Sequence, residues 1–247
     1  MIPVRLNRLV SRLVPVRPAR LDGTRPVASI TFDDFPKSAW TVGGPILDRH
    51  KVRATYYTSG RFCGRVEEGR VFYDADDLSA LAAAGHEIAC HGYAHEPTPD
   101  LPAALLEQDW ARNAEFLRPF LKGGVAESYA FPYGLASPRT KRFYAQRFTN
   151  VRGVHPRLNR GRVDLALLNA VSMERRCWDS EVIARTILRA RHDHAWIVFY
   201  THGVSAEPGP YDSTPAMVSE VLDRLAEARI EVLPMREAVK AAVGGRS

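Results

Sequence analysis

Val27-Ala28-Ser29-Ile30-Thr31-Phe32-Asp33-Asp34 decides how the rest of the chain is read. A short, β-branched, apolar run stops abruptly at two carboxylates, which marks a strand ending in polar space. Outward from it the pattern repeats. Arg53–Ser59 reads as a second strand. Asp76–Ala84 reads as a helix, with acids at its start and Gly85 at its stop. Glu87–Cys90 is a strand that runs straight into His91, and Pro102–Leu117 is an amphipathic helix. Glu127–Pro132 is a strand ended by Pro132 and Gly134, followed by a helix from Pro138 to about Gln146. Strands near Thr149–Arg152 and Leu168–Met173 precede a helix over Ser180–Arg191, capped by Asp179 or Ser180. Trp196–His202 is a buried apolar strand, Thr214–Ala228 a helix, and Ile230–Pro234 a last strand. Such alternation predicts a mostly parallel sheet with helices outside it, as one α/β barrel or doubly wound sheet. No linker or repeat divides it.

Composition agrees with one globular unit of 247 residues: 45% hydrophobic and 25% charged, which excludes a disordered chain. No apolar run approaches the ~18–20 residues of a membrane span. Arg5, Arg8, Arg12 and Arg17 interrupt any secretory signal, so a cytoplasmic protein is expected. Cys63, Cys90 and Cys177 form no disulfide framework and are expected as buried free thiols. Residues 1–26 hold six arginines against Asp22 alone, so nearly all of the formal +6 sits there. The remainder is close to neutral, which argues against a nucleic-acid partner. Leu6, Leu9, Val10, Leu13 and Val14 mark one face of a basic helix that Pro15 stops. Residues 1–20 are therefore expected either to lie on an anionic membrane surface, at its inner face, or to dock on the protein itself. The expected organisation is this segment, residues 1–26, followed by a catalytic domain over 27–240. A second basic stretch, Arg147, Arg152, Arg157, Arg160 and Arg162, reads as a solvated loop or as a seat for an anionic group such as phosphate.

Parallel α/β folds bind ligands at the carboxyl ends of their strands, so the residues just past each strand carry the functional reading. They are Asp33 and Asp34 after Phe32, His91 (with His95 four residues on) after Cys90, Pro132 and Tyr133 after Phe131, and Thr201 and His202 after Tyr200. One carboxylate and two histidines make a nitrogen–oxygen set suited to Zn²⁺ with positions left open. The second carboxylate can then face water as a general base. Alone, Asp33-Asp34 reads equally well as a turn and helix cap, and HxxxH as a chance pair on a loop; together at consecutive strand ends they point to a site. His192 and His194 precede a strand, at the wrong end, and read as a surface turn.

These residues resemble the polysaccharide deacetylases of carbohydrate esterase family four, the nodulation-type (NodB-homology) deacetylase domain, in a divergent branch. Thr31-Phe32-Asp33-Asp34 resembles the first motif, His91-Gly92-Tyr93-Ala94-His95 the second, Ala130-Phe131-Pro132-Tyr133-Gly134 the third, and Phe199-Tyr200-Thr201-His202 the last. The resemblance implies a distorted (β/α)7 barrel as a single domain. It implies Asp34, His91 and His95 as ligands of one divalent ion, Zn²⁺ first, with Co²⁺, Ni²⁺ or Mn²⁺ as alternatives. It further implies Asp33 as general base, His202 as general acid, and the Tyr133 backbone N–H as an oxyanion donor. Phe131, Pro132, Tyr133 and Trp178 are expected against the substrate. Four departures stand out. Phe35 replaces the usual Gly and is expected to narrow the cleft. Ala130 replaces an Arg that steadies the catalytic Asp in the family. Gly203 replaces an Asp after the last motif. The acid that tunes the general acid is least clear, with Asp179 favoured and Glu174 as the other candidate.

The implied activity is metal-dependent removal of an N-acyl group, N-acetyl first, from an amino sugar. An intracellular setting, the basic tail and the arginine loop together favour a lipid-linked or nucleotide-linked precursor over an external polymer. The alternatives are a catalytically silent sugar-binding relative and a non-haem iron enzyme, which also uses two His and one carboxylate.

Overall fold

The computed structural model describes residues 4–21 and 25–243, with side chains from Leu9 onward. The side chains of Arg5, Leu6 and Arg8, and Asp22, lie outside the described residues. The chain runs through helix α1 (Val4–Leu13), strands β1 (Pro18–Leu21) and β2 (Val27–Phe32), and helices α2 (Lys37–Thr41) and α3 (Gly43–Arg49). Strand β3 (Thr55–Thr58), a small hairpin of β4 (Val66–Glu67) and β5 (Arg70–Val71), helix α4 (Ala75–Ala83) and strand β6 (Glu87–Cys90) follow. Then come α5 (Ala103–Leu117), β7 (Ser128–Ala130), α6 (Pro138–Ala145), β8 (Asn150–Arg152), β9 (Gly161–Asp164) and β10 (Val171–Ser172). The chain ends with α7 (Ser180–His192), β11 (Trp196–Thr201), α8 (Pro215–Glu227), β12 (Glu231–Val232) and α9 (Met235–Val243).

The main sheet is parallel throughout, in the order β10-β11-β2-β3-β6-β7-β8. Its hub is β2, registered against β11 along its whole length from Val27 opposite Trp196 to Phe32 opposite Thr201. The other edge of β2 is shared, Val27 and Ala28 pairing with β12 and Thr31 and Phe32 with β3. The two ends of this path meet just before β10. The Leu168 N–H donates to the Val151 carbonyl (2.8 Å) and the Gly153 N–H to the Leu168 carbonyl (2.9 Å). The sheet therefore curls into a distorted barrel and does not open into a doubly wound layer.

Side chains alternate across the sheet with the strand period of two. Ala28, Ile30 and Phe32 of β2, Ile197 and Phe199 of β11, and Tyr56 and Ile88 join the larger core beneath the helices. Trp196, Val198, Tyr200, Tyr57 and Ala89 face the barrel interior, which Met235, Ala238, Val239 and Ala242 of α9 plug. The interior also holds one fully buried acid, Glu87. It accepts from Ser128 Oγ (2.6 Å), Thr55 Oγ1 (2.8 Å) and the Arg236 N–H (2.9 Å), so it caps α9 from inside the barrel.

The segment before β2 is tied to the barrel. Strand β1 pairs antiparallel with β9, Pro18 opposite Asp164 and Leu21 opposite Gly161. Ser11 Oγ donates to the Ala136 carbonyl (2.6 Å), and the buried Lys141 ammonium donates to the Ser11 (2.6 Å) and Val14 (2.7 Å) carbonyls. The carboxyl end of α1 thus docks on its own domain. Leu9 and Leu13 stay exposed. Among the described residues no helix is long and apolar enough to cross a membrane. All three cysteines are free, but only Cys90 is fully buried; Cys63 is half-buried and Cys177 is exposed. Cys177 departs from expectation because it ends a short 3₁₀ turn, Arg175–Cys177, that contributes no buried residue.

His86 gives the fold a pH-sensitive joint. Its Nδ1 accepts from the Ala54 N–H (3.0 Å), and burial, helped by Arg53, lowers its pKa to about 4 against the opposing pull of Asp48. Protonation is thus favoured in the unfolded chain. The stabilisation is whole above the ordinary His range near 6.5 and is lost as pH falls towards 4, a change of roughly 3 kcal/mol. Urea unfolding at pH 7 and pH 4 should show a correspondingly smaller loss in His86→Asn, whose Oδ1 can still accept from Ala54. Equal losses in the two proteins would contradict this assignment.

Candidate metal and acid–base site

The site lies at the carboxyl ends of the parallel strands, where the ladder runs one residue beyond the strand proper. The Asp33 N–H donates to the Thr201 carbonyl (2.9 Å), His91 to Thr58 (3.1 Å), Phe131 to Arg152 (3.0 Å) and Met173 to Tyr200 (2.8 Å). After Asp33 the backbone turns sharply. Asp34 (φ 60°) and Phe35 (φ 57°) are both left-handed, and the Phe35 N–H folds back onto the Asp33 carbonyl (2.6 Å). This turn lets two adjacent carboxylates serve one site despite the alternation of a strand. Each left-handed non-glycine residue costs about 1–2 kcal/mol. Burial of Phe35, at about 1.5–3 kcal/mol for a large apolar side chain, offsets part of that. Phe35 lies wholly buried, stacked on Tyr73 (4.8 Å, 14°) and tilted against Tyr56 (4.8 Å). It fills the core and does not narrow the cleft.

The His91–His95 segment is an irregular loop, bent at Gly92 (φ 73°) and His95 (φ 53°). Its form is imposed from α5, where the Asp109 carboxylate accepts from the Tyr93 (3.0 Å) and Ala94 (2.7 Å) N–H groups. A Cβ on Gly92 would stand 2.8 Å from Asp109 Oδ2, so glycine is required here twice over, by φ and by space. His91 is buried, and its Nδ1 lies 2.8 Å from the Ala130 carbonyl. A carbonyl only accepts, so Nδ1 carries the proton and Nε2 is left with its lone pair. Nε2 of His95 lies 2.9 Å and Nε2 of His91 3.4 Å from Asp34 Oδ1.

One ligand atom from each of Asp34, His91 and His95 falls within 4.8 Å of the others, and Asp34 Oδ1 is buried with no hydrogen-bond donor aligned on it. A divalent cation among these atoms would satisfy the buried Asp34 oxygen, and two imidazoles with one carboxylate suit zinc or a similar ion. Burial alone would raise the Asp34 pKa, but His91, His95 and His202 hold it well below the usual carboxylate range.

Two charged pairs flank this cluster. Asp33, nearly buried, is paired with Arg152 Nη2. Arg152 is fully buried, donates from Nη1 to the Gly153 carbonyl (3.0 Å), and lies against the rings of Tyr57 (4.8 Å) and Tyr200 (5.3 Å). In the sheet Arg152 of β8 stands directly opposite Ala130 of β7, the position where the resemblance leads one to expect an arginine. The cation is therefore present, one strand over. Arg152 consequently does not belong to a solvated arginine loop. Arg147 leaves it too, capping Phe143 (3.8 Å) and Trp110 (4.7 Å) and pairing with Glu107 (2.5 Å).

On the other flank, His202 Nε2 lies 3.8 Å from Asp34 Oδ2, while its Nδ1 faces the Tyr211 carbonyl (3.2 Å) and Glu174 Oε1 (3.2 Å). Both partners accept, so Nδ1 carries a proton. Burial works against the imidazolium, but Glu174, Asp34 and Asp33 outweigh it and lift the His202 pKa to about 9. Glu174 is fully buried at the end of β10 and is itself held by Ser172 Oγ (3.0 Å) and Arg176 (2.9 Å). The acid beside His202 is thus Glu174. Asp179 caps α7, accepting from the Val182 N–H (3.0 Å), because it begins the helix and points along its axis.

The expected substrate wall is smaller than its motif. Phe131 is buried edge-on to Tyr129 (5.4 Å) and Tyr144 (5.5 Å), and Pro132 is buried under the turn, so neither presents a face to a sugar. Tyr133 (φ 57°) is 56% exposed and lies over His95 (4.6 Å between rings). Trp178 is half-buried against the main core, and Tyr211 stands exposed beside His202 (5.8 Å).

The family model for polysaccharide deacetylase matches residues 20–151, and the chain belongs to that family. A chitin deacetylase from Colletotrichum lindemuthianum is 34% identical over 94 residues, a stretch that spans 38% of this chain and only 36% of the relative. Among solved structures, a CE4 family pseudoenzyme from Bacillus anthracis superposes with TM-score 0.62 over 92% of this chain and 69% of its own, at 15% identity. A family 4 carbohydrate esterase from Streptomyces lividans, in complex with acetate, gives TM-score 0.56 at 16% identity, covering 84% and 91%. These likenesses concern the fold.

Calorimetric titration with zinc should find one site in the wild-type chain and none in His91→Ala/His95→Ala. Asp109→Ala, which frees the histidine loop, should bind zinc roughly 10–100-fold more weakly. Unchanged affinity would show that the loop needs no such brace.

Proposed function

We propose that this chain is a metal-dependent N-deacetylase of an amino sugar. The observation that carries the reading is the placement of two differently controlled acid–base groups, Asp33 with Arg152 and His202 with Glu174, on either side of the Asp34–His91–His95 cluster. A divalent cation on Asp34, His91 and His95, zinc first, would supply Lewis-acid polarisation of the acyl carbonyl and a lowered pKa for water.

The chain's own groups account for the proton movements. Asp33, oriented by Arg152, takes the proton of the water that attacks the acyl carbon. The N–H of Tyr133, a residue held in the left-handed region, donates to the developing oxyanion. His202 arrives protonated because Glu174 and the Tyr211 carbonyl hold Nδ1–H, which leaves Nε2–H for the departing amine. The C–N bond breaks, acetate keeps the water oxygen, and the free amino sugar leaves with the proton from His202. Tyr133 and Tyr211 offer the exposed aromatic faces on which a sugar ring would rest. Retention of a cation beside Asp33 favours turnover over a silent sugar-binding role. Arg152 is a positioning residue in this reading, since it acts through Asp33.

Acetate release from N-acetylglucosamine oligomers tests it. Asp33→Asn and His202→Ala should each lose about 10²–10⁴-fold in kcat while still binding zinc. Glu174→Gln should lose less and move the alkaline limb of the kcat profile to lower pH, because it removes a group that holds His202 protonated. Full activity in Asp33→Asn would refute the role of that carboxylate, and iron as the bound metal with no acetate released would favour the non-haem iron enzyme.

A further inference from the structure

Helix α1 docks the opposite way to an ordinary amphipathic helix on a globular core. Its apolar stripe runs through Leu6, Leu9, Val10 and Leu13, yet the residue it buries is Ser11, only 1% exposed. At 3.6 residues per turn, Leu9 and Leu13 share one face and Ser11 stands across the axis from them. Leu9 is accordingly 52% and Leu13 70% exposed. Specific bonds hold the helix in this orientation. Ser11 Oγ donates to the Ala136 carbonyl, and the buried Lys141 ammonium donates to the Ser11 and Val14 carbonyls. The helix is therefore fixed with its leucines turned outward.

The surface beside them is basic. Leu9, Leu13 and the exposed Val182 of α7 line one groove together with Arg12, Arg157, Arg160, Arg162, Arg185 and Arg189. Asp193 pairs with Arg160 (2.9 Å) and Arg189 (3.4 Å), and Glu181 with Arg185 (3.2 Å). Arg157 and Arg162 are exposed and have no carboxylate within ion-pair distance among the described residues. Beyond residue 26 the chain is nearly neutral, so this concentration of guanidinium groups is local. Asn159 of the same loop pairs with Trp196 at the amino end of β11, the end opposite Asp33, Asp34 and His202. An occupant of this face must offer anions to the arginines and an apolar layer to the leucines. A second copy would bring the same unpaired arginines against these, and a nucleic acid would leave the leucines in water. An anionic bilayer offers both, with phosphates at the headgroups and acyl chains just beneath. We propose that α1, the loop over 153–169 and α7 form a face that seats the protein on an anionic lipid surface. Leu9 and Leu13 enter the headgroup–acyl boundary, and Arg157 and Arg162 meet lipid phosphates. This contact is independent of the chemistry at Asp33 and His202.

Flotation of the full chain with vesicles tests the face without any turnover. The wild type should float with vesicles of roughly 2:1 phosphatidylcholine and phosphatidylglycerol, and at least about tenfold less with phosphatidylcholine alone. Arg157→Gln/Arg162→Gln should partition at least about tenfold more weakly into the anionic vesicles, and Leu9→Ser/Leu13→Ser should lose as much with every charge kept. Two controls remove the same groups elsewhere on the surface, Arg49→Gln/Arg65→Gln for charge and Val66→Ser/Val71→Ser for exposed apolar side chains. Both should stay within about twofold of wild type. Thermal melts confirm that each variant is folded. Absence of flotation, equal binding to neutral vesicles, or losses in the controls that match those of the variants overturns the proposal. So does a loss confined to the arginine variant, which would mean that no apolar contact is made. Sedimentation of the vesicle-free protein covers the remaining occupant: a dimer that Leu9→Ser/Leu13→Ser dissociates would assign the face to a second copy and overturn the lipid contact.

Discussion

A carboxylate seated in the mouth of a barrel needs a counter-charge, and the pairing of Asp33 with Arg152 supplies it where several strands converge. Arg152 reaches Asp33 because β8 lies at the end of the sheet that curls back towards β10 and β11, so that Tyr57 and Tyr200 both flank its guanidinium. Breaking such a buried pair from one side typically costs about 3–5 kcal/mol, since the remaining charge is left without a partner. The same pair fixes where Asp33 points, which leaves Asp34 to turn towards His91 and His95. The site thus divides two neighbouring carboxylates between two jobs by giving one an arginine and the other a cluster of histidines.

The backbone enforces this division. Two consecutive left-handed residues after β2 would ordinarily be glycine positions, and the chain spends a buried phenylalanine to hold one of them. Asp109 does similar work for the histidine loop, using its carboxylate to order the Tyr93 and Ala94 amides. Glu174 orders His202 in turn. Each chemical group therefore has a dedicated support one layer back, and the supports come from α5, β8 and β10, elements remote in sequence from the groups they hold.

Much of this was legible in the sequence. The strand at Val27–Phe32, the apolar strand entering His202 and the capped helices follow from period and punctuation, and the parallel alternation follows from them. Asp34, His91 and His95 do come together, because strand ends in such a fold share one face. The supports were not legible, since they depend on register. Nothing local to Arg152 separates it from the exposed arginines around it; only the alignment of β8 beside β7 shows that it stands opposite Ala130. Asp179 misled because an acid before a helix satisfies a cap and a catalytic partner equally well on paper, whereas Glu174 sits two residues past a two-residue strand that has no periodicity to mark it. The pairing of β1 with β9, and the plug formed by α9, were missed for the same reason: four-residue strands and a short terminal helix carry weak patterns, and their partners are more than a hundred residues away.

The central claim is that Arg152 does from β8 what the resemblance expects of an arginine at position 130, and moving the guanidinium across the sheet is the most direct test. Acetate release would be measured for zinc-loaded Arg152→Ala and for Ala130→Arg/Arg152→Ala, which places the guanidinium on β7. The account predicts a loss of roughly 10²-fold or more in the single variant and recovery of at least about tenfold in the double. A double variant that folds and binds zinc yet is no more active than the single, or a single variant that keeps full activity, would contradict it.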